Sequence, residues 1–248
     1  MISTAFGDKA CAWAVVAAAA LVLAAYAVRR AVRGELGFPR VEQAGVSAFL
    51  GRGPMVAVYW ALQPAAGACV ALGIGANAVT IGSLVLGAGA GVAVGAGNLG
   101  VGALLAAASS LGDALDGLVA RRTRTASDAG EVLDAAVDRY TELFFLGGVA
   151  VLLRADPWLL TTTLAAMGGA FMVSYASAKA EALHVAAPRG AMRRPERAAY
   201  LTCGAALAAV LGISWPLLAA VTIVAVVANA SAISRLRVLA ASVQEGRS

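Results

Sequence analysis

Long apolar stretches separated by short polar or basic connections make up most of this chain. Residues Ala10 to Val28 are apolar and end in Arg29, Arg30 and Arg33, the length and flank of one membrane-spanning helix whose C-terminal end is cytoplasmic. The basic residues follow the apolar run instead of preceding it, which argues against a cleavable signal peptide. Gly34 to Gly53 is mixed and polar, with Pro39 and the adjoining Pro54 as breaks, and reads as a cytoplasmic connection. Met55 to Leu72 mixes aromatic and small residues around Gln63 and Pro64. An interfacial helix on the bilayer surface is expected there, with a span as the alternative. From Asn77 the pattern becomes regular. Apolar segments follow at about Ala78 to Ala96, Leu99 to Val119, Val132 to Leu153, Trp158 to Leu183, Arg197 to Ile213 and Trp215 to Leu236. Each is long enough to cross a bilayer at about 1.5 Å rise per residue, which with the first helix makes about seven spans.

Charge orients these elements. Arg121, Arg122 and Arg124, then Arg189, Arg193, Arg194 and Arg197, then Arg235 and Arg237 fall at alternate connections. The connections around Gly97 and Ser214 carry no charge, and the one from Arg154 to Pro157 has only Arg154 and Asp156. Positive charge accumulates on the cytoplasmic side, so the basic connections and the C-terminus are expected inside and the N-terminus outside. The expected architecture is all-α, a polytopic membrane helix bundle of six core transmembrane helices plus an additional N-terminal transmembrane helix and the interfacial helix. Residues 1–53 form the N-terminal part and 54–248 the membrane domain.

Composition supports this class. The chain has 248 residues, 60% hydrophobic and 13% charged, with mean hydropathy +0.81, too few polar groups to cover a water-soluble domain of that length. The net charge of +5 therefore reads as topology and not as nucleic-acid binding. Cys11, Cys69 and Cys203 are odd in number, far apart and in apolar segments, so they suggest neither disulfides nor a zinc site. The single histidine, His184, follows a helix end near Pro188 and receives no role. Gly82 to Gly102 is rich in Gly and Ala, which lets membrane helices approach closely. It is not a nucleotide loop, because no strand precedes it and no Lys-Ser or Lys-Thr follows.

Against that background four aspartates stand out: Asp113, Asp116, Asp134 and Asp138. They lie in the frame D-x-x-D-G-x-x-A-R, eight residues, G-x-x-x-D-x-x-x-D, with Gly117, Ala120, Arg121 and Gly130 at the other specified positions. A carboxylate at membrane depth costs roughly 2.5 to 3.5 kcal/mol on insertion scales, so four together call for a compensating partner. Residues three or four apart share a helix face, which places Asp113 with Asp116 and Asp134 with Asp138. The short polar segment Arg121 to Ala129 makes the two helices antiparallel neighbours with the carboxylate pairs facing each other. Oxygen-only ligands select hard cations, so Mg²⁺ or Mn²⁺ is expected, and four carboxylates suffice for two ions. Two such ions suit phosphoryl chemistry on a pyrophosphate. Gly117 and Gly130 permit close approach of a phosphate or base, Ala120 keeps the helix surface low, and Arg121 offers a planar fork to phosphate oxygens. Asp138, farther from the connection than Asp134, is the expected proton acceptor.

This run resembles the signature of the CDP-alcohol phosphotransferases at every specified position, and the resemblance extends over roughly Asn77 to Leu239. It implies a six-helix membrane domain that commonly dimerises. It also implies that Asp113, Asp116, Asp134 and Asp138 bind the metals, that Asp138 is the base, and that Gly117, Ala120, Arg121 and Gly130 line the site of a CDP-lipid donor. An acceptor hydroxyl then attacks the phosphorus next to the lipid alcohol and CMP leaves. Gly75-Ala76-Asn77-Ala78-Val79-Thr80 is similar to the family's Pro-Asn-x-x-Thr entry to the first core helix, with Ala76 in place of proline. Asn77 and Thr80 are therefore candidates for helix capping or, secondarily, for nucleotide contact.

Two further segments, Ser174 to Glu181 and Arg194 to Arg197, resemble those of the prokaryotic phosphatidylinositol-phosphate synthases and their archaeal ether-lipid counterparts. That resemblance implies that Ser174, Lys179, Arg194, Arg197 and Arg235 receive a phosphorylated polyol, inositol phosphate first, although Ser177 stands where those enzymes commonly have lysine. Glycerol 3-phosphate is an alternative acceptor. Diacylglycerol with a CDP-choline or CDP-ethanolamine donor would leave these charges without a partner. A divalent-cation transporter is the rival of another class. It needs a polar path to the far side, whereas these acids cluster near one face. The expected setting is the cytoplasmic membrane of a prokaryote, with the site facing the cytoplasm.

Overall fold

The computed structural model describes residues 6–34, 36–38, 51–186 and 190–245. Residues 39–50, with Pro39, and Pro188 with Arg189 lie outside the described residues, so the reading of the first polar connection and of that arginine finds no structural counterpart here. Among the described residues there are eight helices and no strand. In chain order they are α1 (Phe6–Arg33), α2 (Arg52–Ala71), α3 (Ala76–Gly95), α4 (Leu99–Thr123), α5 (Asp128–Leu152), α6 (Pro157–Ala182), α7 (Arg194–Leu211) and α8 (Trp215–Glu245). Six of them, α1, α2, α3, α4, α6 and α8, are long and apolar enough to cross a membrane. The remaining two, α5 and α7, carry Asp134, Asp138, Arg194 and Arg197. The region read as an interfacial helix is continuous through Pro64, and its length and hydropathy also meet those of a span.

Local chemistry sets the helix ends. Ser127 caps α5 by accepting a hydrogen bond from Gly130 N at 3.2 Å. Asp156 caps α6 from just before Pro157, accepting from Trp158 N and Leu159 N. The helix α4 ends where Arg124 turns left-handed, and α7 ends the same way at Gly212.

The helix that packs most extensively on both aspartate-bearing helices is α3. It packs along both α4 and α5, whereas α4 and α5 touch each other only over a short stretch. The aspartate-bearing helices touch, as their short connection leads one to expect, but only over a short stretch, and α3 lies beside both. Its small residues are the reason. A Cβ on Gly91 would overlap the Phe144 carbonyl, and one on Gly148 would overlap the Gly91 carbonyl. The same approach on the other side brings Ser83 of α3 against Gly112 of α4, where Ser109 donates to the Ser83 carbonyl at 2.8 Å. The core continues through α7 and α8, with Val94, Leu99, Leu146, Val149, Leu201, Leu217 and Val224 buried.

Candidate active site

Asp113 and Asp116 sit in the C-terminal half of α4, and Asp134 and Asp138 lie about two and three turns into α5. Oxygens of Asp113, Asp116 and Asp134 lie within 4.8 Å of one another. Thr80 on α3 donates to Asp116 Oδ2 at 2.6 Å, so a threonine from the helix shared by α4 and α5 fixes the carboxylate that is most buried. Asp138 stands slightly apart from this trio. Its Oδ1 is 2.7 Å from Arg194 Nη1, and the same nitrogen is 2.6 Å from Asp113 Oδ2. One guanidinium thus bridges the two sides of the frame.

The donor set fits a divalent cation. Asp134 Oδ1 and Asp138 Oδ1 are buried and receive no hydrogen bond, the latter meeting Arg194 at ion-pair distance without hydrogen-bond alignment. Buried carboxylate oxygens without donors are costly, and a hard cation that takes oxygen ligands supplies the missing charge.

The residues read as lining the donor's site lie at the same end of the bundle. Gly130 is in the first turn of α5, and the position its Cβ would take is 4.0 Å from Asn77 Oδ1 and 3.4 Å from Ser127 Oγ. Asn77, the second residue of α3, does not cap it, since Gly75 holds the N-cap position without a side-chain bond; it faces instead a helix start whose backbone N–H groups suit phosphate. Gly117 and Ala120 are half-buried on α4, and Arg121 is exposed at its end.

The basic residues read as an acceptor clamp divide into two kinds. Arg194 is in the frame itself. Arg197 is fully buried and forms a two-pronged ion pair with Glu142, Nε to Oε1 at 2.5 Å and Nη2 to Oε2 at 2.8 Å, while Nη1 donates to the Met192 carbonyl at 2.6 Å and Nη2 to Ser174 Oγ at 3.4 Å. Arg235 is also buried and donates to Ser177 Oγ at 3.2 Å and to the Gly190 and Ala191 carbonyls at 2.9 and 3.2 Å. Both guanidiniums tie α6, α7 and α8 to the turn that precedes Arg194. Lys179 is exposed at the end of α6.

Glu142 and Met192 escape the motif. Glu142 continues the four-residue stripe of Asp134 and Asp138 on one face of α5, a spacing visible in the chain. Met192 has a left-handed backbone, φ 60°, and is buried, and nothing in its residue type announces that turn. The three cysteines are free, and His184 is exposed beyond α6.

A family model described as CDP-alcohol phosphatidyltransferase matches residues 73–231, a stretch that contains the whole frame. The chain belongs to that family. It is an integral membrane enzyme of this class, and its frame is suited to a divalent metal. Among curated relatives, the phosphatidylinositol phosphate synthase of Mycobacterium marinum is 34% identical over 159 residues, 62% of this chain and 68% of the relative. The archaetidylinositol phosphate synthase of Methanothermobacter thermautotrophicus is 32% identical over 161 residues, 65% of this chain and 80% of the relative. The fold matches the crystal structure of Mycobacterium tuberculosis phosphatidylinositol phosphate synthase with CDP-DAG bound, at TM-score 0.66 and 26% identity, covering 71% of this chain and 92% of that one. A second structure of that enzyme, in complex with manganese and citrate, matches at the same TM-score of 0.66.

Proposed function

We propose that this CDP-alcohol phosphatidyltransferase transfers a phosphatidyl-type group from a CDP-lipid to a hydroxyl of inositol phosphate, at the cytoplasmic face of a prokaryotic membrane. The observation that carries the reading is the convergence of Asp113, Asp116, Asp134 and Asp138 at one end of the bundle, with Thr80 and Asn77 of α3 beside them. The relatives, phosphatidylinositol and archaetidylinositol phosphate synthases, support the acceptor. Residues 54–248 serve as the catalytic membrane domain, residues 1–53 are an addition to it, and two copies pair as a homodimer.

In this reading the four aspartates hold two divalent ions, Mg²⁺ or Mn²⁺, whose chemistry when bound is to neutralise the pyrophosphate and the charge that develops during transfer. Gly117, Ala120, Arg121, Gly130, Asn77 and Thr80 form the donor side, with Thr80 acting through Asp116. The acceptor hydroxyl gives its proton to Asp138 as its oxygen bonds to the phosphorus next to the lipid alcohol. The bond from that phosphorus to the bridging oxygen breaks, and CMP carries the electron pair away. Arg194 and Lys179 receive the acceptor phosphate, while Arg197, Ser174 and Arg235 hold the wall of that pocket. The decisive experiment supplies purified protein with CDP-diacylglycerol, Mn²⁺ or Mg²⁺ and a panel of acceptors, scoring CMP and lipid product. Preference for inositol phosphate over glycerol 3-phosphate and free inositol is expected. Preference for free inositol or serine overturns the phosphate clamp.

A further inference from the structure

Arg194 faces two incompatible demands. The proposed function gives it to the acceptor phosphate, yet its Nη1 lies 2.6 Å from Asp113 Oδ2 and 2.7 Å from Asp138 Oδ1. Those oxygens belong to the frame that takes the metal, and Asp138 is also the base. With the guanidinium in this position the base is tied to a cation.

We propose that Arg194 is an internal counter-ion of the acidic frame, displaced toward the acceptor when a divalent cation takes the Asp113–Asp138 side. The inference rests on the reading above, in which the frame binds metal and the acceptor carries phosphate. The guanidinium supplies one positive charge to two carboxylates. A divalent ion supplies two and binds oxygen at about 2.0 to 2.6 Å, so the two cations compete for the same oxygens. Asp116 and Asp134 make no ion pair with Arg194 among the described residues, so a first ion enters beside them without moving it. The second ion has to displace it. Arg194 is the first residue of α7, and Arg197 holds the preceding turn through the Met192 carbonyl, so the long side chain swings while its backbone stays anchored. Metal loading then releases Arg194 from both carboxylates and delivers a fork of donors to the acceptor phosphate. Acceptor binding follows metal binding.

The test is Mn²⁺ titration of the purified full chain in lipid nanodiscs, read by electron paramagnetic resonance of the free ion, for wild type, Arg194→Ala and Arg194→Lys. Wild type is expected to take a first ion tightly and a second more weakly. Arg194→Ala is expected to tighten the second by about tenfold or more, an ordinary size for coupling between two sites. Arg194→Lys, which cannot bridge both carboxylates with one planar fork, falls between. Calorimetry with inorganic phosphate on wild type supplies a readout free of any folding defect: phosphate is expected to bind only after Mn²⁺ is present, and equal binding without Mn²⁺ overturns the proposal. So does unchanged or weaker binding of the second ion in folded variants. If wild type releases CMP in either of these cases, only the counter-ion role fails. Absence of any Mn²⁺ binding by wild type refutes both that role and the metal site on which it rests.

Discussion

Asp138 pairs with Arg194 at 2.7 Å and with Arg139 at 3.8 Å, next to the aspartate trio. Replacing it with asparagine keeps the shape and removes the basic oxygen. Asp138→Asn is expected to lower CMP release by at least about a hundredfold, the low end of what a general base contributes, while circular dichroism stays unchanged. Retained turnover would refute the base assignment. Glu142 and Arg197 answer to a different rule. Their pair is buried on both sides, with side-chain exposures of 8% and 1%, so removing one partner strands the other's charge. Arg197→Ala is expected to destabilise the protein by about 3 to 5 kcal/mol, read as a lower unfolding midpoint in detergent. An unchanged midpoint would place Arg197 among the ligand-binding residues alone.

At the scale of elements, α3 explains why the frame can close. Its glycines bring α5 within backbone contact, and Thr80, one turn into the helix, reaches Asp116 on α4. A Cβ at Gly91 or Gly148 meets a backbone carbonyl first, which cannot yield as a flexible side chain would. Gly148→Val is expected to cost about 1 to 3 kcal/mol and to lower activity and thermal midpoint together. Gly147, whose Cβ position meets nothing within 4 Å, is the control: Gly147→Ala is expected to leave both unchanged.

At the scale of the whole molecule, the additional helix α1 is joined to the bundle at its first turn. Asp8 is buried and accepts from Val101 N at 2.9 Å, while the local N-cap of α4, Asn98, makes no side-chain cap bond. A residue of α1 therefore caps the helix that carries Asp113 and Asp116. Asp8→Ala is expected to cost about 1 kcal/mol of stability, checked by thermal unfolding, with CMP release retained at low temperature. Metal acts on the whole bundle as well. Mn²⁺ at about a hundred times its dissociation constant is expected to stabilise the fold by about 2.7 kcal/mol, and chelation by EDTA to reverse the shift. A midpoint indifferent to Mn²⁺ would count against a site on the folded frame.

The membrane class, the helix segments and the four aspartates were legible in the chain alone, because burial in lipid demands long apolar runs and makes each exception to them conspicuous. The placement of α3 beside both aspartate helices was not legible, since glycine spacing announces close packing without naming the partner. Nor were the roles of the arginines. Arg194, Arg197 and Arg235 are the same residue type in similar basic surroundings, and only the tertiary structure divides them into one that bridges Asp113 and Asp138 and two that bind carbonyls, hydroxyls and Glu142. The physical reason is that a charge near a membrane follows from composition, while its partner depends on which helix ends the fold brings within about 3 Å, the reach of a hydrogen bond.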